Sequence, residues 1–451
     1  MEKFDLIVIG SGPSGGRVAM RCAEKGWNVA IAESRSFGGN CALRGCNPKK
    51  VFVHAAEVVA AARQSHGKLC DAGAIKIDWP NLLAWKNEFT QPVPESSRKK
   101  FEDAGITLFD AAPKFVARNT LEIDGNRYQS KHILIAVGGK PAELEFEGAQ
   151  YMTLSDQFME LKELPKRIVF VGGGYISTEF ACVARHADSE VTILQRGARP
   201  LKGFEAFTVD KFVSKATDIG ISIQCEVKVT EVVKHHHGSF EVSYEDGSGQ
   251  QTIEADLVVH GAGRIPNLEG LELAQGEVEF DPKKGVNVDE FLRSVSNPIV
   301  FASGDCAATG KARLTPTANQ QGFVISSTML TGEETLPDYG PIPKVCFSIP
   351  PIASVGMTEE SAERTGADYR IQSGDMSDWG SVRKVCESHA AFKLVIDKQS
   401  DKILGAHLLG PSAAETINLF AIAMRAGMTA RDLKATLLAF PTFSSDVRQM
   451  V

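Results

Sequence analysis

Two stretches of the chain repeat one pattern of hydrophobic and polar residues. In the first, the apolar run DLIVIG is followed by the glycine-rich turn SGPSGG, the amphipathic run RVAMRCAEKG and the apolar run NVAIAE. In the second, RIVFVG is followed by GGYISTEFACVARHA and EVTILQR. Short apolar runs joined by a glycine turn and a stretch of helical spacing predict strand–helix–strand units with buried, parallel strands. We therefore expect an α/β fold that contains two such units.

The first unit has the spacing of a dinucleotide-binding turn. Gly10, Gly12 and Gly15 form G-x-G-x-x-G directly after the first strand and at the start of the helix. Glycine at these places allows the tight turn and lets a pyrophosphate approach the helix N-terminus. Glu33 ends the next strand, where a carboxylate accepts hydrogen bonds from ribose hydroxyls. Strand, turn, helix and acid together predict a nucleotide site.

The second unit keeps the turn but changes the acid. Gly172 and Gly174 hold the first two glycine positions, and Ser177 takes the third, where another small residue suffices. Gln195 stands where a unit that prefers NAD has Asp or Glu. The ribose end of this second nucleotide is therefore recognised without a carboxylate at that position.

Basic residues follow the last strand of the second unit. Arg196, Arg199 and Lys202 come directly after Gln195. A 2′-phosphate is an anion that arginine binds in bidentate fashion and that an acid would repel. This pattern predicts NADPH rather than NADH, with Arg196 and Arg199 as ligands of the phosphate. The alternative is that these residues are solvated loop charges.

Cys41 and Cys46 lie in the segment GGNCALRGCNPKK, followed by the helical run KKVFVHAAEVVAAARQ. If the helix begins near the cysteines, about one turn separates the sulfurs, so they are able to oxidise to each other, and the helix N-terminus lowers a thiol pKa. That arrangement is typical of a catalytic dithiol. The alternative is half of a zinc site, but the chain has no second cysteine pair at ligand spacing, and we predict no metal site.

The remaining cysteines and the histidine triplet suggest no further chemistry. We interpret six cysteines in apolar or amphipathic contexts as small, reduced core residues: Cys22, Cys70, Cys182, Cys225, Cys346 and Cys386. His235, His236 and His237 stand between the strand-like runs KVTEVV and SFEVSY. A turn is the preferred interpretation there, because consecutive side chains rarely converge on one metal ion.

Composition excludes several classes of partner. The net charge is −7 and no run of Lys and Arg occurs, whereas phosphate backbones need clustered positive charge, so we expect no nucleic-acid partner. No apolar stretch reaches the roughly 20 residues that cross a bilayer, and the N-terminus enters a strand pattern without a signal-peptide layout. We expect a cytoplasmic protein with no membrane partner.

Taken together, the motifs resemble those of the class I pyridine nucleotide-disulfide oxidoreductases, the family of glutathione reductase, dihydrolipoamide dehydrogenase and mercuric reductase. The resemblance covers the whole chain. In order, it rests on the first glycine turn with Glu33, the cysteine pair with Lys49, ILIAVGGKP at 133–141, the second glycine turn with Tyr175 and Glu179, HGAGRIPN at 260–267, FASGDCA at 301–307 and LTPTA at 314–318.

The resemblance implies an FAD-dependent enzyme that passes electrons from NADPH to a small disulfide. Cys46 would be the sulfur next to the flavin and form a charge-transfer thiolate after reduction, and Cys41 would attack the substrate. Lys49 and Glu179 would pair beside the flavin N5, and Tyr175 would gate the nicotinamide pocket.

The remaining implied residues bind cofactor. Asp305 would bind the ribityl or phosphate end of FAD, and Thr315 would lie near the pyrimidine side of its ring. Gly138 and Gly263, in the two connecting motifs, would also be cofactor-binding positions.

One family feature is missing at the C-terminus. Typical members carry His-Pro-Thr and then a Glu, and this dyad reaches from one subunit to the other's dithiol as acid and base. Here the segment reads AFPTFSSDVRQMV, so Phe440 replaces the His, Ser445 falls at the Glu position and Asp446 follows it. Because a positioned acid or base contributes about 10²- to 10⁴-fold in rate, we expect an acceptor that needs little help with protons. Asp446 as a substitute base is left open.

The features specific to glutathione reductase are mixed. In an ungapped register Arg21 matches an arginine that glutathione reductase uses for a substrate carboxylate. The tyrosine of its substrate helix falls at Ser97, and its second substrate arginine falls at Phe323. A small disulfide is the expected acceptor. The alternatives are a quinone, metal ion or small oxidant as acceptor, a dihydrolipoamide dehydrogenase-like enzyme, or a redox-sensing flavoprotein.

The predicted architecture has two nucleotide-binding, Rossmann-like domains and a C-terminal α+β dimerisation domain. The runs AAFKLVID, ILGAHLLG and AAETINLFAIAMRAG suit strands and a helix of an interface layer, and the resemblance implies a homodimer. The predicted boundaries are an FAD-binding domain at 1–147, an NADPH-binding domain at 148–268, a returning FAD-side segment at 269–335 and the dimerisation domain at 336–451.

Overall fold

The computed structural model describes residues 1–451. The strands, in chain order, are β1 (Glu2–Ile9), β2 (Val29–Ala32), β3 (Thr107–Phe109), β4 (Lys114–Ala117), β5 (Thr120–Ile123), β6 (Asn126–Ile135), β7 (Gly139–Pro141), β8 (Arg167–Val171), β9 (Glu190–Gln195), β10 (Ile221–Cys225), β11 (Lys228–Lys234), β12 (Phe240–Asp246), β13 (Gly249–Ala255), β14 (Leu257–His260), β15 (Arg264–Pro266), β16 (Phe280–Asp281), β17 (Gly285–Val286), β18 (Val300–Ala302), β19 (Lys344–Cys346), β20 (Ile352–Gly356), β21 (Tyr369–Asp375), β22 (Ala391–Asp397) and β23 (Ile403–Leu409).

The α-helices, in chain order, are α1 (Pro13–Ala23), α2 (Gly39–Leu43), α3 (Cys46–Ser65), α4 (Trp79–Thr90), α5 (Val93–Asp103), α6 (Ser155–Phe158), α7 (Tyr175–His186), α8 (Ala206–Asp218), α9 (Thr315–Thr331), α10 (Glu359–Thr365), α11 (Gly380–Arg383), α12 (Ala413–Arg425), α13 (Ala430–Ala435) and α14 (Val447–Met450). Short 3₁₀ helices occur at Ala149–Tyr151, Gly304–Cys306 and Phe443–Asp446.

The chain forms two compact units, and each is assembled from three chain segments. The first unit consists of Met1–Lys49, Trp85–Ala142 and Gly263–Tyr339. The second consists of Lys50–Ala84, Glu143–Ala262 and Gly340–Val451. The four predicted domain ranges stay predictions.

The first unit is built on a seven-stranded sheet. Its order is β3-β2-β1-β6-β5-β4, and β18 lies beside β6. The strands β3, β2, β1, β6 and β18 are parallel, while β6, β5 and β4 form an antiparallel meander. In register, Ile9 pairs with Ala32 and with Ile135, and Ile135 pairs with Ala302. The turns that follow these strands therefore share one edge of the sheet, where open α/β sheets bind ligands.

Residues 6–9 of β1 are continuously apolar because hydrophobic cores lie on both faces of the sheet at this strand. Leu6 and Val8 belong to the core on the side of α1 and α9, and Ile7 and Ile9 belong to the core on the opposite face. Successive side chains of a strand point to opposite faces, so a strand buried on both sides reads as continuously apolar rather than alternating. The predicted interpretation of this run as a buried parallel strand is confirmed.

The second unit contains the second predicted strand–helix–strand pattern. Four parallel strands have the order β10-β9-β8-β14, and α7 follows β8 after the second glycine turn. Val171 pairs with Leu194 and with His260, which aligns the carboxyl ends of three strands. A separate antiparallel sheet, β11-β12-β13, belongs to the same unit, and the histidine triplet lies in its first turn, as predicted.

The C-terminal part of the second unit is an α+β layer. Five antiparallel strands have the order β19-β20-β23-β22-β21, and α12 packs against β20 and β23. Its core includes Leu394, Ala406 and Leu408 from the strands and Ile417 and Phe420 from the helix. The predicted fold class is confirmed: two Rossmann-like α/β sheets and a C-terminal α+β domain.

Candidate active site

The first glycine turn forms a close backbone contact at the edge of the first unit's sheet. Gly10 has φ +103°, and a Cβ there would lie 2.5 Å from the Ala136 carbonyl oxygen. A Cβ on Gly15 would lie 2.1 Å from the Gly10 carbonyl oxygen. A Cβ on Gly12, in contrast, would meet only the Gly39 Cα, at 4.0 Å. The chain itself thus requires glycine at 10 and 15, while Gly12 leaves open space beside the start of α1.

Glu33 is held against this turn. One carboxylate oxygen accepts hydrogen bonds from the Ser11 N–H at 3.0 Å and the Ser11 hydroxyl at 2.8 Å, and the other accepts from the Arg35 N–H at 3.0 Å. The Ser11 hydroxyl in turn accepts from the Gly38 N–H at 3.0 Å. This network fixes the acid at the end of β2, the place where a ribose hydroxyl is expected.

The cysteine pair lies where two helices begin. Cys41 is on α2, and Cys46 is the first residue of the 20-residue helix α3. The Thr315 hydroxyl, at the start of α9, donates a hydrogen bond to the Cys41 sulfur at 3.3 Å and lies 3.8 Å from the Cys46 sulfur. Both cysteines are free thiols, so the arrangement is that of the reduced pair.

The two thiols titrate as a pair. A hydrogen bond with Cys46 raises the pKa of Cys41, burial raises it further, and the Thr315 hydroxyl acts in the opposite direction. When one sulfur carries a negative charge, the proton on the other is shared with it and is harder to remove. The neighbouring sulfur of Cys46 therefore makes the Cys41 thiol harder to deprotonate, and the Thr315 hydroxyl offsets part of this effect.

Asp305 lies at the same sheet edge, after β18. Burial raises the pKa of its carboxyl group, and the charges of Arg264 and Arg313 oppose this shift. Arg264 donates a hydrogen bond to the Gly139 carbonyl oxygen. Nearby in α9, the buried Thr317 hydroxyl makes no hydrogen bond within the chain. Buried polar groups normally have partners, so this hydroxyl is consistent with a polar ligand at this edge.

The two connecting motifs both contain glycines with positive φ. Gly138 has φ +67° and Gly263 has φ +115°, and neither Cβ would meet a protein atom within 4 Å. Glycine at these places therefore serves the backbone conformation rather than a close contact within the chain.

The second glycine turn, like the first, begins with a glycine of positive φ in close contact with the backbone of a neighbouring segment. Gly172 has φ +95°, and a Cβ there would lie 2.6 Å from the Ala262 Cα. Ser177, at the third position, is completely buried and its hydroxyl has no partner within the chain. Gly174 precedes Tyr175, the first residue of α7, whose side chain is 46% exposed. An aromatic ring that is exposed at this helix start is accessible to a ligand.

The residues predicted to bind a 2′-phosphate lie at the end of β9. The Gln195 amide oxygen accepts from the Gly173 N–H at 2.7 Å, and its amide nitrogen donates to the Arg199 carbonyl oxygen at 3.2 Å. Arg196 is exposed, and exposed Arg199 pairs with Asp210 at 2.7 Å. Exposed pairs of this kind contribute about 0–1 kcal/mol, so a phosphate dianion competes readily for Arg199.

Glu179 lies on α7 and is 1% exposed. One of its oxygens accepts from the Phe347 N–H at 2.9 Å, and the other from the Lys50 ammonium group at 2.7 Å. Lys49, the predicted partner, is itself buried, and its pairing with Glu179 stays a prediction. Lys50 and Phe347 were not predicted as site residues. The family motif assigns a role to only one lysine, Lys49, and Phe347 binds Glu179 through its backbone N–H, which the residue type does not reveal.

The two unusual residues of the C-terminal segment, Phe440 and Asp446, differ in their exposure. Phe440 is 84% exposed. Asp446 is only 8% exposed, accepts a hydrogen bond from the Ser381 hydroxyl, and has a pKa raised by burial. A buried carboxyl group already bonded to Ser381 is poorly placed to serve as a substitute base, so the option left open from the sequence loses support.

Arg21 is fixed inside the first unit. Its guanidinium group lies 4.3 Å from the Phe323 ring centroid. It donates to the Phe323 carbonyl oxygen at 2.8 Å and to the hydroxyls of Ser326 and Ser327 at 2.7 and 3.2 Å. An arginine tied to a neighbouring helix in this way is not free to bind a substrate carboxylate without breaking these bonds.

The prediction that six of the seven other cysteines are core residues is partly wrong. Cys22, Cys182 and Cys346 are buried, but Cys225 and Cys386 are only half-buried and Cys70 is exposed. Cys70 follows the end of α3 in an irregular turn, where no helical or strand periodicity turns a side chain toward the core. No helix has the length and apolar composition needed to span a bilayer.

Comparison with known proteins covers the whole chain. Residues 4–322 match the family described as pyridine nucleotide-disulphide oxidoreductase, and residues 342–451 match the dimerisation domain of the same family. The glutathione reductase of Burkholderia cepacia is 32% identical and aligns over 98% of this chain and 97% of its own length. The chloroplastic and mitochondrial glutathione reductase of Pisum sativum is 31% identical over 98% of this chain and 81% of its own length.

A solved structure shares the fold. It is a Cu(II) complex of a HOCl-induced flavoprotein disulfide reductase, RclA, from Escherichia coli. The TM-score is 0.88 at 24% identity, and the match covers 100% of this chain and 99% of the other. At this identity the likeness concerns the arrangement of helices and strands.

Proposed function

Because the chain belongs to the pyridine nucleotide-disulphide oxidoreductase family, we propose that it is an FAD-dependent reductase that passes electrons from NADPH through Cys41 and Cys46 to a small disulfide. The observation that carries the proposal is the reduced cysteine pair bridged by Thr315. This pair lies in the same unit as the first glycine turn. Such a reaction needs at least a nucleotide site for the cofactor and a thiol pair that carries its electrons to the substrate.

The residues of the first unit fit FAD. Open space at Gly12 beside the start of α1, the fixed carboxylate of Glu33 and the partnerless hydroxyl of Thr317 lie at one sheet edge or on the helix that packs there. When bound, FAD accepts a hydride from NADPH and passes two electrons to the cysteine pair. Gly138, Gly263 and Asp305 complete the proposed cofactor-binding set of this unit.

The residues of the second unit fit NADPH. Gly172 allows the tight turn, Gly174 leaves room for a pyrophosphate at the start of α7, and the partnerless hydroxyl of Ser177 lies in the same turn. Arg196 and Arg199 supply positive charge beside Gln195, where a carboxylate would repel a 2′-phosphate. Tyr175 is proposed to cover the nicotinamide end.

The proposed disulfide step is a pair of thiol exchanges. The Cys41 thiolate attacks one sulfur of the substrate, forming a mixed disulfide and releasing the first thiolate, which takes up a proton. The Cys46 thiolate then attacks the Cys41 sulfur and breaks the mixed disulfide, so that the internal disulfide forms and the second substrate thiolate leaves and takes up a proton from water. Two electrons from NADPH return the pair to the reduced state. The Thr315 hydroxyl favours the thiolate of Cys41 by donating to its sulfur.

Steady-state NADPH oxidation with a panel of disulfides tests the function. Wild-type enzyme is expected to turn over at least one small disulfide, and Cys41→Ser is expected to abolish that turnover while flavin reduction by NADPH persists. Exposed Cys70 offers a matched control, because Cys70→Ser removes a thiol that lies outside the pair. Disulfide reduction that survives Cys41→Ser would contradict the proposal.

A second candidate function is reduction of an acceptor that is not a disulfide, such as a quinone, metal ion or small oxidant. The observation that favours it is the guanidinium group of Arg21, whose hydrogen bonds and ring contact with α9 would have to break before it could bind a substrate carboxylate. Quinone turnover that is fast and unchanged by Cys41→Ser would favour this candidate over the first.

The assembly and location proposed are a homodimer in the cytoplasm. Support for the dimer comes from the match of residues 342–451 to a dimerisation domain. Support for the cytoplasm is chemical, because a thiol pair regenerated by NADPH works in a compartment that keeps thiols reduced. Sedimentation equilibrium of the purified holoenzyme measures the oligomeric state, and fractionation of cells measures the location.

A further inference from the structure

The carboxylate of Glu179 is held at both oxygens. It is 1% exposed, accepts from the Phe347 N–H at 2.9 Å on one side and from the Lys50 ammonium group at 2.7 Å on the other. Two bonds to different oxygens fix both the position and the plane of a carboxylate. The family resemblance assigns a role beside Glu179 to Lys49 and leaves Lys50 without one.

Phe347 binds both members of this pair. Its backbone donates to Glu179, and its ring centroid lies 3.8 Å from the Lys50 nitrogen. A cation over an aromatic face gains about 0.5–2 kcal/mol, depending on how far it is desolvated. Lys50, Glu179 and Phe347 therefore form a closed triangle in which each residue contacts the other two, and Lys50 is held in one orientation although its side chain is 32% exposed.

A buried carboxylate depends on such partners. An ionised group removed from water is costly unless it is paired and hydrogen-bonded, and removing one partner leaves the other charge uncompensated. Without Lys50, one oxygen of Glu179 would lose its contact with the ammonium group at 2.7 Å, and the orientation of the carboxyl group would be less restrained. The geometry at Glu179 thus depends on a side chain from α3.

We propose that Lys50 is a positioning residue for the reaction with NADPH, acting through the Glu179 carboxylate that it orients. This inference rests on the proposed function, in which Glu179 lies beside the nicotinamide and flavin rings. Lys50 itself touches neither cofactor in the proposal. Its contribution is the orientation of Glu179, so it affects the hydride-transfer step more than the affinity for NADPH.

Rapid-mixing reduction of the bound flavin by NADPH tests the inference in the FAD-loaded enzyme without oxygen. Lys50→Met is expected to lower the limiting rate of flavin reduction on the order of 10- to 100-fold, the loss typical of one misplaced charged group, with the Kd of NADPH changed less than about 3-fold. NADPH deuterated at the transferred position is expected to show a larger isotope effect in Lys50→Met, because hydride transfer has become slower. Lys50→Arg keeps the charge and is expected to recover most of the rate.

Two further variants separate positioning from general damage to α3. His54→Ala changes an exposed residue one turn along the same helix and is expected to leave the rate unchanged. Phe347→Leu removes the ring but keeps the backbone N–H, so its effect is expected to be smaller than that of Lys50→Met. A merely structural role of Lys50 would lower thermal stability and flavin content without changing the isotope effect.

The inference is overturned if Lys50→Met reduces its flavin within about 2-fold of the wild-type rate and with the same isotope effect. Should Lys50→Met not fold, Lys50→Gln, which keeps a hydrogen-bond donor without charge, decides by the same criterion. The proposed function fails in a different way: wild-type enzyme would then show no flavin reduction by NADPH at all.

Discussion

Thr315 gives the cysteine pair a hydroxyl group that is near both sulfurs, at 3.3 Å from Cys41 and 3.8 Å from Cys46. From the sequence, this residue was expected at the pyrimidine side of the flavin ring. The contact with the sulfurs adds a second role, because a hydroxyl that donates to a thiolate stabilises its charge. In Cys41 this effect opposes the two larger ones, the bond with Cys46 and burial, which both raise its pKa.

Thr315→Val is expected to slow disulfide reduction and to move its pH dependence upward. The Thr315 bond lowers the pKa of Cys41, so its loss raises that pKa, and the thiolate needed for attack forms only at higher pH. A hydrogen bond to a charged group contributes about 1.5–3 kcal/mol, which corresponds to roughly 10- to 100-fold in rate at neutral pH. Stopped-flow reoxidation of the reduced enzyme by a disulfide, measured from pH 6 to 10 as about the accessible range, checks this.

Thr315→Ser is the control for that experiment, because serine keeps the hydroxyl and loses only a methyl group. It is expected to retain the wild-type pH profile. An unchanged profile in Thr315→Val would show that the hydroxyl does not act on Cys41.

Arg196 and Arg199 are expected to determine the choice between NADPH and NADH. Replacing both with Gln removes the charges that would face a 2′-phosphate, so kcat/KM for NADPH should fall about 10- to 100-fold while kcat/KM for NADH stays nearly unchanged. Steady-state kinetics with both nucleotides measure this. Asp210→Asn is the matched control: it frees Arg199 from its exposed partner and is expected to leave NADPH binding equal or tighter. If the wild-type enzyme prefers NADH, the interpretation of these arginines is wrong.

Candidate site residues could be named from the sequence where a residue type has few alternatives, as for paired cysteines and turn glycines. A helix begins at Cys46, near where the sequence pattern indicated one, but the separate short helix that contains Cys41 was not predicted, and the roles of both cysteines stay predictions. Lys50 was not predicted, because the resemblance assigns a role only to the first of the two successive lysines and no periodicity shows that the second also contacts Glu179. The same holds for Phe347, which binds Glu179 through its backbone N–H, a group that every residue except proline carries.

At the scale of elements, the glycines of the turn between β1 and α1 differ in why glycine is suited to each position: one avoids a clash within the chain, and the other leaves open space. Gly15 is needed by the fold, since a Cβ would lie 2.1 Å from the Gly10 carbonyl oxygen. A Cβ on Gly12 would meet only the Gly39 Cα, at 4.0 Å, so the fold does not require glycine there, and the proposed reason for it is the approach of the nucleotide to the turn. The sequence motif alone does not distinguish these two reasons for glycine.

Alanine substitutions at the two glycines are therefore expected to fail differently. Gly15→Ala should destabilise the protein by about 1–3 kcal/mol even without FAD, as overpacking does. Gly12→Ala should leave the thermal unfolding of the FAD-free protein nearly unchanged and weaken FAD binding by on the order of 10-fold. Calorimetry of the FAD-free proteins and fluorescence titration with FAD measure the two effects. Equal loss of stability in both variants would contradict this division.

Most elements around the two turns were predicted from local pattern, but the sheet order was not. The run DLIVIG corresponds to β1 (Glu2–Ile9), and NVAIAE to β2 (Val29–Ala32). The partner on the other side of β1, however, is β6 (Asn126–Ile135), more than 100 residues later. Periodicity reports which faces of a strand are buried and carries no information about which distant strand covers its edge. The same limit applies to the order of the C-terminal sheet.

At the scale of the whole molecule, no acidic or basic side chain occupies the C-terminal position from which the family protonates the leaving thiolate. The histidine position is occupied by Phe440, which is 84% exposed, and the nearby carboxyl group of Asp446 is buried and bonded to Ser381. In the expected homodimer, the segment containing Phe440 would offer the partner subunit an aromatic ring in place of an acid and base. A thiolate that leaves the substrate must then be stable by itself or be protonated by water.

The rate of disulfide reduction is therefore expected to depend steeply on the pKa of the leaving thiol. Aromatic disulfides, whose thiols are acidic, should react much faster than glutathione disulfide, and the dependence should follow the leaving-group pKa across a graded series. Phe440→His is expected to speed the slow substrates by on the order of 10-fold, less than the 10²- to 10⁴-fold of a positioned group, because Ser445 provides no carboxylate to orient the imidazole. Adding Ser445→Glu should increase the gain further and flatten the dependence. If glutathione disulfide already reacts as fast as the aromatic compounds in the wild-type enzyme, another group must supply the proton, and the absence of the histidine would not limit the reaction.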